Sequence, residues 1–153
     1  MLDEVDDDKL LQYLERCECL GQDTLQLALE LRKSTEVISM IIDVGGRQYL
    51  TDKYKGEYST FLDAFMKRAS TALHDACRNM ASTKVIMKII DVGGSELVMA
   101  KNKIGYTTLQ CACKNYASTE VMMKMIEVGG RELVMEKNNF GDTALHHLKM
   151  DCR

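Results

Sequence analysis

Ser82-Thr83-Lys84-Val85-Ile86-Met87-Lys88-Ile89-Ile90-Asp91-Val92-Gly93-Gly94 returns 36 residues later as Ser118-Thr119-Glu120-Val121-Met122-Met123-Lys124-Met125-Ile126-Glu127-Val128-Gly129-Gly130. A third copy, Ser34-Thr35-Glu36-Val37-Ile38-Ser39-Met40-Ile41-Ile42-Asp43-Val44-Gly45-Gly46, stands 48 residues before the first. The flanks repeat as well. Glu96-Leu97-Val98-Met99 answers to Glu132-Leu133-Val134-Met135. Thr71-Ala72-Leu73-His74 answers to Thr107-Thr108-Leu109-Gln110, to Thr143-Ala144-Leu145-His146 and, more faintly, to Asp23-Thr24-Leu25-Gln26. Self-similarity at a period of about 20–50 residues marks a repeat array, in which each unit buries its apolar face only against its neighbours.

Each unit reads as two helices. The first opens at a capping Thr and repeats Leu and Ala three residues apart, as in Leu73 with Ala76 and Leu109 with Ala112. The second opens at Ser-Thr, carries a buried stripe (Val85, Ile86, Ile89, Ile90 and their equivalents) and stops at Gly-Gly, where one glycine takes a left-handed cap. A connection of about a dozen residues then closes on Gly105 or Gly141.

Gly141-Asp142-Thr143-Ala144-Leu145-His146, with Gly105-Tyr106-Thr107-Thr108-Leu109, resembles the G-x-T-P/A-L-H signature of ankyrin repeats. The resemblance covers residues 21–153 and implies an all-α, ankyrin-like solenoid of stacked helix-turn-helix units with outward loops or short hairpins. The chain departs from the pattern in its period of 36, in Ala for the signature proline, and in Gln26 and Gln110 where the signature has His. A helical turn at Glu-Leu-Val-Met is one way to take up the added length. The resemblance implies a turn-bonding role for His74 and His146.

The 48-residue offset leaves twelve extra residues near Tyr58–Ala69, as though a repeat there had lost its second helix. Apolar positions run unbroken from Phe61 to Met80 at helical spacing, which favours one continuous helix over about 60–80 against a break at Ser70-Thr71. The expected organisation is an acidic capping helix in residues 1–20, then an array over 21–153 with units near 21–56, a truncated 57–68, 69–104, 105–140 and a partial 141–153. Asp6 to Leu20 places Leu10, Leu11, Leu14 and Cys17 on one face, suited to covering the first repeat. At the other end the last unit lacks a second helix, so its C-terminal face reads as an open, partly apolar edge.

Composition narrows the function. The 153 residues are 46% hydrophobic and 28% charged, with no proline or tryptophan, as suits packed helices. No apolar run approaches the roughly 18 residues of a membrane span. The acidic start, MLDEVDDDKLL, is unlike a secretory signal, so an intracellular, cytoplasmic place is expected, with the nucleus open. Net charge is −3 overall, with residues 1–20 at −5 and the rest near +2, so no basic field marks nucleic acid as a partner.

Six cysteines include the pairs Cys17/Cys19 and Cys111/Cys113. On a helix, residues two apart point away from one another and do not share a metal easily, so reduced structural thiols are expected, with no metal site. The histidines lack a paired nucleophile or acid, so no catalytic residues and no cofactor are expected. Met123 and Met87 align with Ser39, which places that position at least partly in solvent.

The expected function is therefore non-catalytic binding of another protein, through a concave helix face and the loop tips. Variable tip positions are Lys53, Tyr54, Lys55; Asn102, Lys103, Ile104; and Asn138, Asn139, Phe140. Variable inner-helix positions are Asp75, Arg78; Cys111, Lys114; and His147, Met150. Tyr54, Phe140 and Arg78 are the first choices as anchors, because aromatic and Arg side chains dominate interface energetics. The alternative is a self-associating scaffold, a homodimer formed through the long helix or the open edge.

Overall fold

The computed structural model describes Leu25, Ala28, Leu29 and residues 32–51 and 70–151. The expected capping helix, the truncated unit and the Lys53-Tyr54-Lys55 tip lie outside the described residues. Among those described, the named helices are α1 (Thr35–Thr51), α2 (Ala72–Arg78), α3 (Thr83–Met99), α4 (Thr108–Lys114), α5 (Thr119–Met135) and α6 (Ala144–Asp151). Second helices stack as α1 on α3 on α5, and first helices as α2 on α4 on α6. The apolar core lies between these two layers, with Leu73, Ile89, Ile90, Leu97, Leu109 and Met125 fully buried.

The first helices are short. Helices of this length are marginal alone, so packing must hold them. Their ends are defined locally. Thr107 Oγ1 accepts from the Gln110 N–H at 3.1 Å to start α4. At the end of α2, Met80 N–H donates to Cys77 O (3.2 Å) and Ala81 N–H to Ala76 O (2.9 Å), the paired bonds of a Schellman stop. That stop needs a left-handed residue, and Met80 takes it at φ 54°, as Arg32 (53°) and Tyr116 (60°) do in the other units.

Ser34, Ser82 and Ser118 each cap a second helix by accepting the N–H three residues on, at 3.3 Å. The Gly-Gly pair turns the chain sharply instead of ending it. Gly94 sits at φ 68°, ψ −161°, a region essentially reserved for glycine, and Gly130 and Gly46 repeat the geometry within a few degrees. Its ψ is therefore not that of the left-handed cap expected. Gly93 is excluded from carrying a side chain for a second reason: a Cβ there would lie 2.3 Å from Leu97 Cδ2. Helical backbone resumes through Glu96-Leu97-Val98-Met99, which buries Leu97 and Val98. This turn absorbs the length beyond the usual repeat.

A tight hairpin follows α3 and another follows α5. Lys101 bridges Thr107 in antiparallel fashion, and Asn102 N–H donates to Tyr106 O at 3.1 Å. Asn138 N–H and Asp142 O repeat this at 2.9 Å.

One expectation is corrected. Residues 60–80 are not one helix, because Ser70 and Thr71 are non-helical and Thr71 is extended at φ −91°, ψ 173°. The Thr71 N–H donates to His74 Nδ1 at 3.2 Å, and this side-chain cap starts α2 afresh. Apolar spacing alone passes over the break because Ser70 and Thr71 are themselves buried.

Candidate functional site

The signature position on each first helix is a clasp for the hairpin that follows. His74 Nδ1 accepts from Thr71, so Nε2 carries the proton and donates to Tyr106 O at 2.9 Å. Gln110 does the same work with an amide. Its Oε1 accepts from Thr107 N–H at 3.2 Å, and its Nε2 donates to Glu136 O (3.0 Å) and Asp142 O (2.9 Å). His146 repeats the first half of the motif, accepting from Thr143 N–H at 2.9 Å.

These clasps set the angle between hairpins and first helices, and the inner side of that angle holds the candidate site. The 36-residue register places Asp75, Cys111 and His147 in one row and Arg78 and Lys114 in the next. Arg78 Nη1 lies 3.0 Å from Asp75 Oδ1, and its Nη2 donates to Ser70 Oγ at 3.2 Å, so the half-buried guanidinium is held in place. Tyr106 projects into this angle from the hairpin. Phe140 meets it edge-on at 6.5 Å and 84°, the His147 ring lies at 5.3 Å, and Lys114 Nζ stands 5.4 Å from its ring centre. Edge-to-face pairs and a cation over a ring face are both favourable arrangements. The cluster therefore joins an apolar aromatic floor to the Lys114 cation.

Burial governs its chemistry. It pushes the Tyr106 hydroxyl above its usual pKa, with the nearby Cys111 and Asp142 adding to the shift, so the phenol remains a proton donor. Burial also raises the Cys111 thiol to about 11 and the Cys77 thiol well above its usual range. Cys77, Cys111 and Cys113 are free thiols. Protonated, buried thiols are poor nucleophiles and poor metal ligands. Among the described residues no group of three or more His, Cys, Asp or Glu side chains is placed to hold a metal ion.

The other expected site residues divide by exposure. Asn102, Ile104, Asn138, Asp75, Cys111 and His147 are buried. Asn102 Oδ1 accepts from the N–H groups of Ile104 (3.2 Å) and Tyr106 (3.0 Å), and Asn138 Oδ1 from those of Phe140 (2.9 Å) and Asp142 (3.1 Å). Both asparagines thus build the hairpins rather than display themselves. Lys103, Asn139, Phe140 and Lys114 are exposed. Met123 is exposed too, as its alignment with Ser39 anticipates. In the sequence Tyr106, the centre of the cluster, stands out only as part of the Gly-Tyr-Thr signature. Its aromatic side chain beside a repeat glycine was the one available signal.

Helix pairs stacked in two layers with hairpins along one edge define an array of ankyrin-type repeats. The solved structure titled as the ankyrin repeat domain of Bcl-3, a unique member of the IkappaB protein family, has this fold: TM-score 0.58 at 19% identity, covering 84% of this chain and 51% of that one. The present chain therefore has the ankyrin-repeat fold and spans about half the length of that structure. No family model and no curated protein matches the sequence. Among the described residues no helix is long and apolar enough to cross a membrane.

Proposed function

We propose that the chain is a non-catalytic protein-binding module whose partner lies in the inner angle, across Arg78, Lys114, Tyr106 and Phe140, with Lys103 and Asn139 at the rim. The observation that carries this reading is the Tyr106 cluster, where an exposed Phe140 and the Lys114 cation flank one buried ring. Such a surface suits a segment with one apolar or aromatic anchor beside an acidic residue. Aromatic anchors next to cations are the usual concentrators of binding energy. Three buried free thiols suit a reducing, intracellular compartment. The Lys53-Tyr54-Lys55 tip extends the same proposal toward the N-terminal units.

The test is capture from a native lysate, with the chain set beside a Lys114→Ala/Phe140→Ala variant. Loss of more than ~1 kcal/mol on truncating such an anchor corresponds to at least about a fivefold drop in retained partner. A folded variant that retains its partners undiminished refutes this placement.

A further inference from the structure

Each turn from a first helix to a second stops at one left-handed residue. Glycine takes that conformation freely, whereas a residue with a Cβ takes it against steric resistance. Here the position holds Arg32, Met80 and Tyr116, with φ of 53°, 54° and 60°. None of the three packs into the core. Met80 is 57% exposed, Tyr116 is 74% exposed, and Arg32 is exposed as well. Large side chains held in solvent on a resisting backbone serve the fold less well than glycine would, and such positions cluster where proteins bind. Met80 has a described unit on either side, so its exposure belongs to the interior of the array.

A groove of about 260 Å³ opens beside this row, between the first two described units. The buried Leu29, Ile38 and Val85 line it, with the exposed Met80 and Arg32 and with Lys33, which is 8% exposed. The starts of α1 and α3 meet there, where Thr35 Oγ1 lies 3.0 Å from Ser82 Oγ. Both charged residues of the lining are cations, and the positive dipole ends of the two helices add to their field. Glu36 and Lys84, at matching places in the first turns of α1 and α3, offset one another. The basic pair breaks the repeat. Arg32-Lys33 stands where the next units have Met80-Ala81 and Tyr116-Ala117, so one of the three described turns sets a cation in place of the alanine.

We propose that this groove, at the ends of the first helices far from the hairpins, binds a short acidic segment of another protein that inserts one apolar side chain. Small-molecule pockets usually span about 300–1,000 Å³, and this smaller space suits a single side chain. The apolar floor receives that side chain. Arg32 takes a neighbouring carboxylate through the paired N–H groups of its guanidinium. Met80 repacks around the inserted group, because its unbranched thioether chain adapts readily. Lys33 has contacts of its own within the fold and contributes field rather than reach. The groove shares no residue with the Tyr106 cluster, so the two sites stand or fall separately.

The experiment follows binding of fluorescein-labelled nine-residue peptides to the full chain by fluorescence polarisation. Each peptide has one central leucine, methionine or phenylalanine among aspartates and glutamates. At least one should bind with Kd below about 1 mM. Arg32→Glu should weaken that binding at least about tenfold, and a serine in place of the central residue should do the same. Met80→Gly should weaken it by about threefold with no loss of thermal stability, since glycine suits the left-handed turn. The Lys114→Ala/Phe140→Ala variant should bind as the parent does. Five outcomes overturn the proposal. No peptide binds; the serine peptide binds equally, which marks diffuse charge attraction; folded Arg32→Glu and Met80→Gly proteins bind undiminished; the Lys114→Ala/Phe140→Ala variant loses the peptide, which moves it to the inner angle; or light scattering shows a dimer that Arg32→Glu separates, which makes a second copy the occupant.

Discussion

Gln110 shows that a side chain's bonds, not its identity, keep a repeat in order. His74 and Gln110 share no ionisation behaviour, yet each accepts from a capping N–H and donates to the following hairpin. Gln110→Ala takes the partner from the buried Thr107 N–H and from the Glu136 carbonyl, while Asp142 O keeps the Asn138 N–H; this costs about 1–3 kcal/mol per orphaned group, whereas Gln110→His should cost less than ~1 kcal/mol. Urea unfolding of the two variants checks this, and equal losses would show that the clasp does not matter. Ile89 sits fully buried between the layers, so Ile89→Ala should cost about 2–5 kcal/mol through lost burial and a cavity. Cys111 makes a pH prediction. Its folded pKa is raised by burial from 9.0 to about 11, so the stability it contributes is complete below its unfolded pKa and is lost as pH rises through the folded one. Thermal midpoints should therefore fall between pH 9 and about 11, and Cys111→Ala should flatten part of that fall. An unchanged slope would place the thiol elsewhere.

The helix pair and the place of its Gly-Gly corner, though not the corner's conformation, were readable from sequence because three copies align in one register, so caps and stripe confirm one another. Two features were not. The break before α2 hides inside an uninterrupted apolar pattern and depends on the Thr71–His74 cap, which outcompetes helix continuation only once both groups are buried. The Tyr106 cluster assembles side chains from a hairpin, from α4 and α6, and from a second hairpin, so no local pattern announces it. The corners give opposite predictions for glycine. Gly94→Ala should destabilise, because its backbone conformation costs an L-residue about 1–3 kcal/mol. Tyr116→Gly should stabilise by up to ~1 kcal/mol, since Tyr116 is left-handed at φ 60° and its exposed side chain gives up little burial. Chemical denaturation of both reads the signs directly, and a destabilised Tyr116→Gly would mean that its ring contributes more than its backbone costs.

In a stacked array stability is a sum of unit terms and neighbour terms, so each unit's protection depends on how many neighbours it has. Helix α3 has α1 on one side and α5 on the other, and Val85, Ile86, Ile89 and Ile90 are all buried. Helix α6 is short, packs chiefly on α4 and leaves Leu145 and Leu148 in solvent. A helix of eight residues has little stability of its own, so α6 persists only through that one-sided docking. Local opening there should cost much less than opening of α3, which approaches the global unfolding free energy. Amides of residues 145–151 should accordingly exchange faster than those of residues 84–92 by at least about a hundredfold, or ~2.7 kcal/mol in opening free energy. Exchange in α4 should fall between them, since α4 is covered on both sides but shorter than α3. Hydrogen exchange followed by mass spectrometry on dilute monomer gives the order. Equal protection along the chain would mean that the units unfold as one block, and that the exposed Leu145 and Ile126 carry no penalty in neighbour energy.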